Sequence, residues 1–314
     1  MLRLLQRLWF LLALLAVLTV GIFWPEQFAD SAEKLPRDWI IGSVLLAMAL
    51  PLPLARIRAT LQRPAPALLA LAINSVVVPL LAWLVAGLLV DDLAIGLVIA
   101  AVVPCTLASA AVWTRRAGGN EATSLLVTLL TNLSCFLVTP AWLEWLLDRD
   151  QSSLQFGEMV GKLLLLVLLP IVVAQLARAI PAVGRWTSAR QSVLSTYAQL
   201  GILTLVFVAS VHCGLKLSEL QDEMAGMMAQ LMLMLLLVAA VHTSAWLLGY
   251  WSAGRLGMPR EEQIAVAFAG SQKTLTVGLV VALQFGGLTV LPMLAYHVLQ
   301  LLIDTVLADR LRAK

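Results

Sequence analysis

A lysine in the middle of an apolar run constrains this chain more than any other feature. The stretch 264–285 reads IAVAFAGSQKTLTVGLVVALQF, with Gly270, Ser271, Gln272, Lys273 and Thr274 as a polar knot at its centre. Placing an ammonium near a bilayer midplane costs on the order of 2.5–3.5 kcal/mol on insertion scales. Gly270 beside it is expected to break the helix and free backbone groups. Lipid does not tolerate freed backbone, whereas a cavity lined by protein does. A broken helix with a charge at mid-depth is the pattern of a secondary transporter's binding site. The plainer reading is a lysine that snorkels from a helix end; about ten apolar residues on either side of Lys273 disfavour it.

The remaining chain puts that stretch in a bilayer. Of 314 residues, 61% are hydrophobic and 12% charged, and the mean hydropathy is +0.93. Soluble domains average about 25% charged and about 45–50% apolar residues. The net charge of +3 carries no nucleic-acid signal, because the basic residues are spread over short loops. Cys105, Cys135 and Cys213 all lie in apolar runs, without a disulfide framework or a metal-ligand spacing. No pair among His212, His242 and His297 has ligand spacing either, so no metal site and no cofactor are expected. There is no GxSxG, P-loop or paired aspartate motif, which argues against a hydrolase or an ATP-driven pump and for a chain that is not an enzyme.

Apolar runs long enough to span a bilayer lie near 5–24, 39–55, 67–89, 93–113, 122–146, 159–180, 194–213, 225–251, 262–284 and 288–308. The first is read as a span rather than a cleaved signal peptide, because Trp24-Pro25-Glu26 does not suit a cleavage site. The loops support ten spans with both termini on one side. That side collects Arg3, Arg7, Arg56, Arg58, Arg63, Arg115, Arg116, Arg178, Arg185, Arg190, Arg255, Arg260, Arg310, Arg312 and Lys314. The other side holds only Lys34, Arg37, Arg149, Lys162 and Lys216, while acidic residues such as Asp91, Asp92, Asp148, Asp150, Asp222 and Glu223 lean to it. The positive-inside rule predicts both termini cytoplasmic, and a plasma, or inner, membrane is the expected location. The joining segments are short, so one transmembrane domain fills residues 1–314.

Ten spans with same-side termini allow two inverted five-helix repeats, 1–150 and 151–314. The fourth span of each is interrupted. Span four, LVIAAVVPCTLASAAVWT, is broken at Pro104 with Thr106 and Ser109 nearby; span nine breaks at Gly270 to Thr274. Each is followed by a Gly-Gly step, Gly118-Gly119 and Gly286-Gly287. Two such helices crossing at their breaks would aim helix dipoles and unpaired backbone at one point. Pro79, Pro140, Pro170 and Pro292 also lie in spans, and each reads equally well as an ordinary kink or as part of a site. Ser124, Thr128 and Asn132 recur at i, i+4 and i+8, one stripe of span five. Alone the stripe reads as interhelical hydrogen bonding; beside two broken helices it reads as a cavity wall. His297 and Gln300 share a face of span ten, and Asp304 lies near its inner end, where Arg310 or solvent would reach it.

Several elements resemble a known family. Residues 104–140 read PCTLASAAVWTRRAGGNEATSLLVTLLTNLSCFLVTP, GSQKTLTVG starts at Gly270, YHVLQLL lies in span ten, and Asn74 to Pro79 form an N-x4-P element. These resemble the bile acid:sodium symporter superfamily, and most of all its bacterial branch related to the seventh member of vertebrate solute carrier family ten. The resemblance covers nearly the whole chain. It implies an all-α integral membrane protein of ten helices, a panel domain and a core domain, with discontinuous helices four and nine crossing in the core. In the sodium-coupled relatives two sodium sites flank that crossing. By the resemblance, Ser124 and Thr128 match the span-five hydroxyl ligands and Gln272 the ninth-helix glutamine. Asn74 falls where those relatives have a glutamine, and Ser109 falls beside the fourth-helix ligand pair. The relatives' shared glutamate is replaced here by Phe268, and Lys273 stands next to the glutamine.

An acid neutralises a bound cation and an ammonium repels one. Lys273 is therefore expected in or beside a vacated sodium site, leaving vestiges at Asn74, Ser124, Thr128 and Gln272. The bundle would be sodium-independent, or proton-coupled through Lys273. The function expected is secondary transport of a small organic anion by alternating access, with Asn74, Thr106, Ser109, Ser124, Thr128, Asn132, Ser271, Gln272, Lys273, Thr274 and His297 as the binding set. Lys273 beside helix N-termini would suit a carboxylate or sulfonate. Two alternatives stand beside this. A cation/proton antiporter would need a mid-membrane carboxylate, and a non-transporting regulatory membrane protein would show no small-molecule binding at the crossing.

Overall fold

A computed structural model describes residues 2–52, 60–147, 156–219 and 224–312. Arg56, Arg58, Arg149, Lys314, Asp148, Asp150, Asp222 and Glu223, used above to read sidedness, lie outside the described residues. Among the described residues there are helices and no strands. In chain order they are α1 (Leu2–Phe23), α2 (Pro25–Glu33), α3 (Arg37–Ala49), α4 (Ala65–Ala86), α5 (Asp91–Val102), α6 (Ser109–Arg116) and α7 (Glu121–Leu146). They continue as α8 (Phe156–Ala179), α9 (Pro181–Ala189), α10 (Gln191–Glu219), α11 (Met224–Arg255), α12 (Arg260–Ser271), α13 (Leu275–Phe285) and α14 (Val290–Arg312).

Among the described residues seven stretches are long and apolar enough to cross a bilayer: α4, α7, α8, α10, α11, α12 with α13, and α14. The bent pair α1 and α2, turned by 105° at Trp24, makes an eighth. This is a multi-pass membrane protein. Of the ten expected spans, the run near 39–55 appears as α3, a 13-residue helix. The run near 93–113 is interrupted, as α5 and α6 with extended chain between them.

The helices pack in two groups. In one, α10 lies along α1, α2 and α3, with α8 against α3. In the other, α12 is surrounded by α4, α6, α7 and α11, and α14 packs on α5, α11 and α13. The apolar window of Arg260–Phe285 is buried throughout, so this span meets protein on every side.

Both interruptions are present, but only one is made by the residue the sequence nominates. Pro104 lies in the α5–α6 break, where it has no N–H to continue a helix. Gly270 is helical, and α12 runs one residue past it. A Cβ at Gly270 would lie 3.0 Å from Ile73 Cγ2. The glycine therefore serves the close approach of α12 to α4, and the chain extends instead at Gln272 and Thr274, with ψ of 144° and 122°. Pro79 and Pro170 each follow a π-helical turn, Ile73–Val77 and Leu164–Leu168. A proline leaves an earlier carbonyl without its donor, and a wide turn is one way to accommodate that.

Polar contacts tie neighbouring loops together at two ends of the bundle. At one end Arg116 makes a two-pronged ion pair with Asp309 at 2.7–2.8 Å, and Arg260 donates to Leu311 O at 2.7 Å. There Asn120 and Thr123 both bind Glu262. At the other, Asp92 accepts from Leu288 N at 2.9 Å and Val90 N donates to Gln230. Both Gly-Gly steps begin with a left-handed glycine, Gly118 at φ 82° and Gly286 at φ 74°.

Candidate functional site

The two breaks meet. Thr274 N donates to Pro104 O at 2.9 Å, so backbone bonds to backbone where the helices stop. A buried helix end leaves its last four carbonyls needing donors. At the end of α12 each finds one. Phe268 O takes Gln272 N, Ala269 O and Gly270 O take the Asn74 amide at 3.2 Å each, and Ser271 O takes the Tyr296 hydroxyl at 2.9 Å. The same amide reaches Gln272 O at 2.9 Å. Asn74 is thus a side-chain cap supplied from another helix. Gln300 on α14 holds the next peptide from both sides, accepting from Lys273 N and donating to Lys273 O, each at 2.9 Å.

The α5–α6 break is served by α7. Thr131 accepts from Cys105 N, Asn132 donates to Cys105 O at 2.8 Å, and Thr128 donates to Thr106 O at 3.1 Å. The polar stripe of span five is therefore the partner of unwound backbone. Ser124, its first member, lies apart from the break and pairs with Thr114 at 2.7 Å. Thr106 caps α6 by accepting from Ala110 N, and with Ser109 it reaches Gln272 Oε1, at 3.1 and 2.8 Å. Gln272 thereby ties one break to the other.

Lys273 is fully buried. Its ammonium donates to Asn74 O at 2.6 Å, Val103 O at 3.0 Å and Asn74 Oδ1 at 3.3 Å. The first acceptor is an orphan by construction. Val78 N is taken by Ile73 O across the π turn, and the next residue, Pro79, has no N–H to offer Asn74 O. Val103 O is freed where α5 ends. Its three N–H groups are directed at these carbonyl oxygens, where the sequence reading offered them to a carboxylate or sulfonate. Phe268, at the position of the relatives' glutamate, packs edge-on to Trp246, with ring centroids 5.7 Å apart.

The sequence reading placed Asp304 within reach of Arg310 or solvent, and this is also corrected. Asp304 is fully buried, with Oδ1 3.0 Å from His242 Nε2 and Oδ2 accepting from Gln272 Nε2 at 2.5 Å. A signal was available: His297, Gln300 and Asp304 recur at i, i+3 and i+7 and so form one polar stripe on span ten. Thr131, His242, Tyr296, Gln300 and Asp304 hold the breaks and stand outside the binding set expected from the sequence.

Three buried polar atoms of the expected set have no protein partner: Asn132 Oδ1, Ser271 Oγ and His297 Nε2. The His297 ring also stands edge-on to Phe10 of α1, centroids 6.2 Å apart. Beyond that contact, a largely apolar cavity of about 790 Å³ opens between the α1–α2 bend, α10, α11 and α14, lined by Leu15, Leu18, Trp24, Leu231 and Leu294 among others. The three cysteines are free and buried. Among the described residues no three His, Cys, Asp or Glu side chains gather as a metal site. The atoms that the resemblance assigns to sodium on Asn74, Ser124, Thr128 and Gln272 are all engaged by protein partners.

Comparison with known proteins gives this geometry a context. The model of the SBF-like CPA transporter family matches residues 8–313. An uncharacterized protein of Pseudomonas aeruginosa is 26% identical over 96% of this chain and 92% of its own length. An uncharacterized protein of Bacillus subtilis, YbaS, is 26% identical over 83% of this chain and 82% of its own. Sodium/bile acid cotransporter 7 of Rattus norvegicus is 24% identical over 69% of this chain and 64% of its own.

Proposed function

The chain belongs to the SBF-like CPA transporter family, and on that premise we propose that it is a sodium-independent secondary transporter of a small organic anion. The observation that carries this reading is the Lys273 ammonium among Asn74 O, Asn74 Oδ1 and Val103 O. A ring of carbonyl oxygens at a helix break is a donor set suited to a bare monovalent cation. Here the side chain supplies the charge, tethered, so no free sodium is needed to hold the breaks together. The rat relative's name supports an organic anion as cargo. Its charge would meet the N-termini of α6 and α13 and the unpaired His297 Nε2, and its apolar body the neighbouring cavity.

The architecture proposed with this is ten helices in two inverted repeats, 1–150 and 151–314, that alternate access about the crossing. Both termini would be cytoplasmic in an inner membrane. The test is the thermal midpoint of purified protein in sodium against choline at equal ionic strength, followed by counterflow of a panel of carboxylates and sulfonates in vesicles. The reading expects no sodium-specific rise and saturable counterflow of at least one anion. A sodium-specific rise in the wild type overturns the tethered cation.

One observation favours a second reading, cation/proton antiport. Asp304 is the buried carboxylate that such a mechanism requires. Vesicles loaded with a pH-sensitive dye and given a sodium or potassium gradient separate the two. Proton movement without any organic anion supports the antiporter.

A further inference from the structure

We propose that His242 of α11, together with Asp304, is a proton-binding site whose occupancy fixes the capped end of broken helix α12. It rests on the transporter reading only for its role in a cycle; the site itself follows from hydrogen-bond inventory.

Both ring nitrogens of His242 face acceptors. Nδ1 lies 3.3 Å from Ser271 O, and Nε2 lies 3.0 Å from Asp304 Oδ1. A carbonyl oxygen only accepts, so Nδ1 must carry a hydrogen to meet it. The orientation of Gln272 is set by its neighbours: its oxygen takes the hydroxyls of Thr106 and Ser109, which leaves its NH2 to donate to Asp304 Oδ2. Two arrangements then satisfy every contact. Either His242 is an imidazolium beside a carboxylate, or a neutral ring accepts at Nε2 from a protonated Asp304. Each holds one proton more than a neutral His242 beside an ionised Asp304, and each makes the pair electrically neutral.

That neutrality matters because both side chains are fully buried. When the proton leaves for water, the pair becomes an anion and the ring keeps one N–H for two acceptors. Either Asp304 Oδ1 or Ser271 O then loses its His242 donor, which leaves Asp304 held by Gln272 alone or Ser271 O held by the Tyr296 hydroxyl alone. Ser271 O is the last carbonyl of α12, at the negative end of the helix dipole, so loss of the proton loosens the break. Proton return restores it.

The charged and titratable groups facing the pair come from three elements. From α14, Tyr296 stands edge-on to His242 at 5.6 Å and shares Ser271 O, and His297 lies one hydrogen bond from Gln300. From the α12–α13 break, Lys273 neighbours Gln272 but directs its ammonium to Asn74 and Val103. From the α5–α6 break comes the Cys105 thiol, which Thr128 holds. Lys273 spends its N–H groups on Asn74 and Val103 and none on the pair.

The test is nitrogen NMR of the full chain in lipid vesicles with labelled histidine. There are three histidines, and the His242 signal is the one missing from His242→Gln. Across a series taken from about pH 5 to 9, His242 should pass from a ring protonated at both nitrogens, or sharing a proton with Asp304, to a ring with one bare nitrogen. Over the same range amide exchange at residues 268–274 should accelerate beyond the base-catalysed rise that other buried helix ends share. Asp304→Asn should give the bare-nitrogen ring at the lower pH. A ring that does not change across that range overturns the proposal, as does a ring unaffected by Asp304→Asn. If Asp304→Asn does not fold, the wild-type pH series decides alone. The readout needs no cargo, so failure to find a transported anion leaves it standing, and anion counterflow with an unchanging ring sinks this proposal only.

Discussion

Replacing Lys273 with alanine should turn a sodium-indifferent protein into a sodium-sensitive one. In the wild type, the ammonium is the donor for Asn74 O and Val103 O. Asn74 O has no helical substitute, because Pro79 stands where its donor would be. A buried acceptor left unpaired costs about 1–3 kcal/mol, so two cost about 2–6 kcal/mol. Against this, the variant no longer buries an ammonium, which recovers about 2.5–3.5 kcal/mol. In choline the two nearly offset, and the thermal midpoint should fall modestly. In sodium, the vacated space and its three oxygens should take the ion. Binding to the folded state alone adds about 2.7 kcal/mol at a sodium concentration one hundred times the dissociation constant. Lys273→Met fills the space without a charge, so it should lose stability in both salts and gain no sodium response. The assay is the midpoint of purified protein in the two salts. If Lys273→Ala matches the wild type in choline and ignores sodium, the carbonyls have other donors and the tethered-cation reasoning fails.

Asn74→Ala removes the cap from Ala269 O, Gly270 O and Gln272 O, and should cost about 1–3 kcal/mol or more by thermal or denaturant unfolding; an unchanged midpoint would show the cap to be dispensable. Pro79→Ala restores an N–H within reach of Asn74 O, so its effect should not add to that of Lys273→Met. A double-mutant cycle should show about 0.5–3 kcal/mol of coupling, and additivity would refute the orphan-carbonyl account. Gly270→Ala puts a methyl 3.0 Å from Ile73 Cγ2 and should lose about 1–3 kcal/mol, much of it recovered by adding Ile73→Ala. No recovery would place the strain elsewhere.

The sequence made the existence of the site legible and its internal pairing illegible. An ammonium and a proline inside apolar runs announce breaks, because both are costly unless something answers them. The answering groups are far away in sequence: Val103 and Asn74 stand 170 and 199 positions from Lys273. That distance is why the carbonyls to which Lys273 donates could not be read from the sequence. Gly270 looked like the breaker because glycine often is, yet its missing side chain serves the contact with Ile73. Asp304 looked solvent-bound because it lies near a predicted span end, while its spacing from His297 and Gln300 pointed inward. Periodicity outweighed position there. The ten expected spans are only partly visible as long helices, since the run near 39–55 is short and that near 93–113 is split by the very break that builds the site.

The enclosure of Arg260–Phe285 also bears on how the protein is made. A helix wrapped by protein on every side gains nothing from contact with lipid, and this one carries the charge that lipid resists most. It can settle only into a sheath that is already there. The helices that form the sheath, α4, α6, α7 and α11, all precede it in the chain and leave the ribosome first. Only α14 follows, bringing Gln300 and Asp304 to close over the break. The order of synthesis is therefore the order in which this membrane core can be assembled, with the costliest segment admitted next to last.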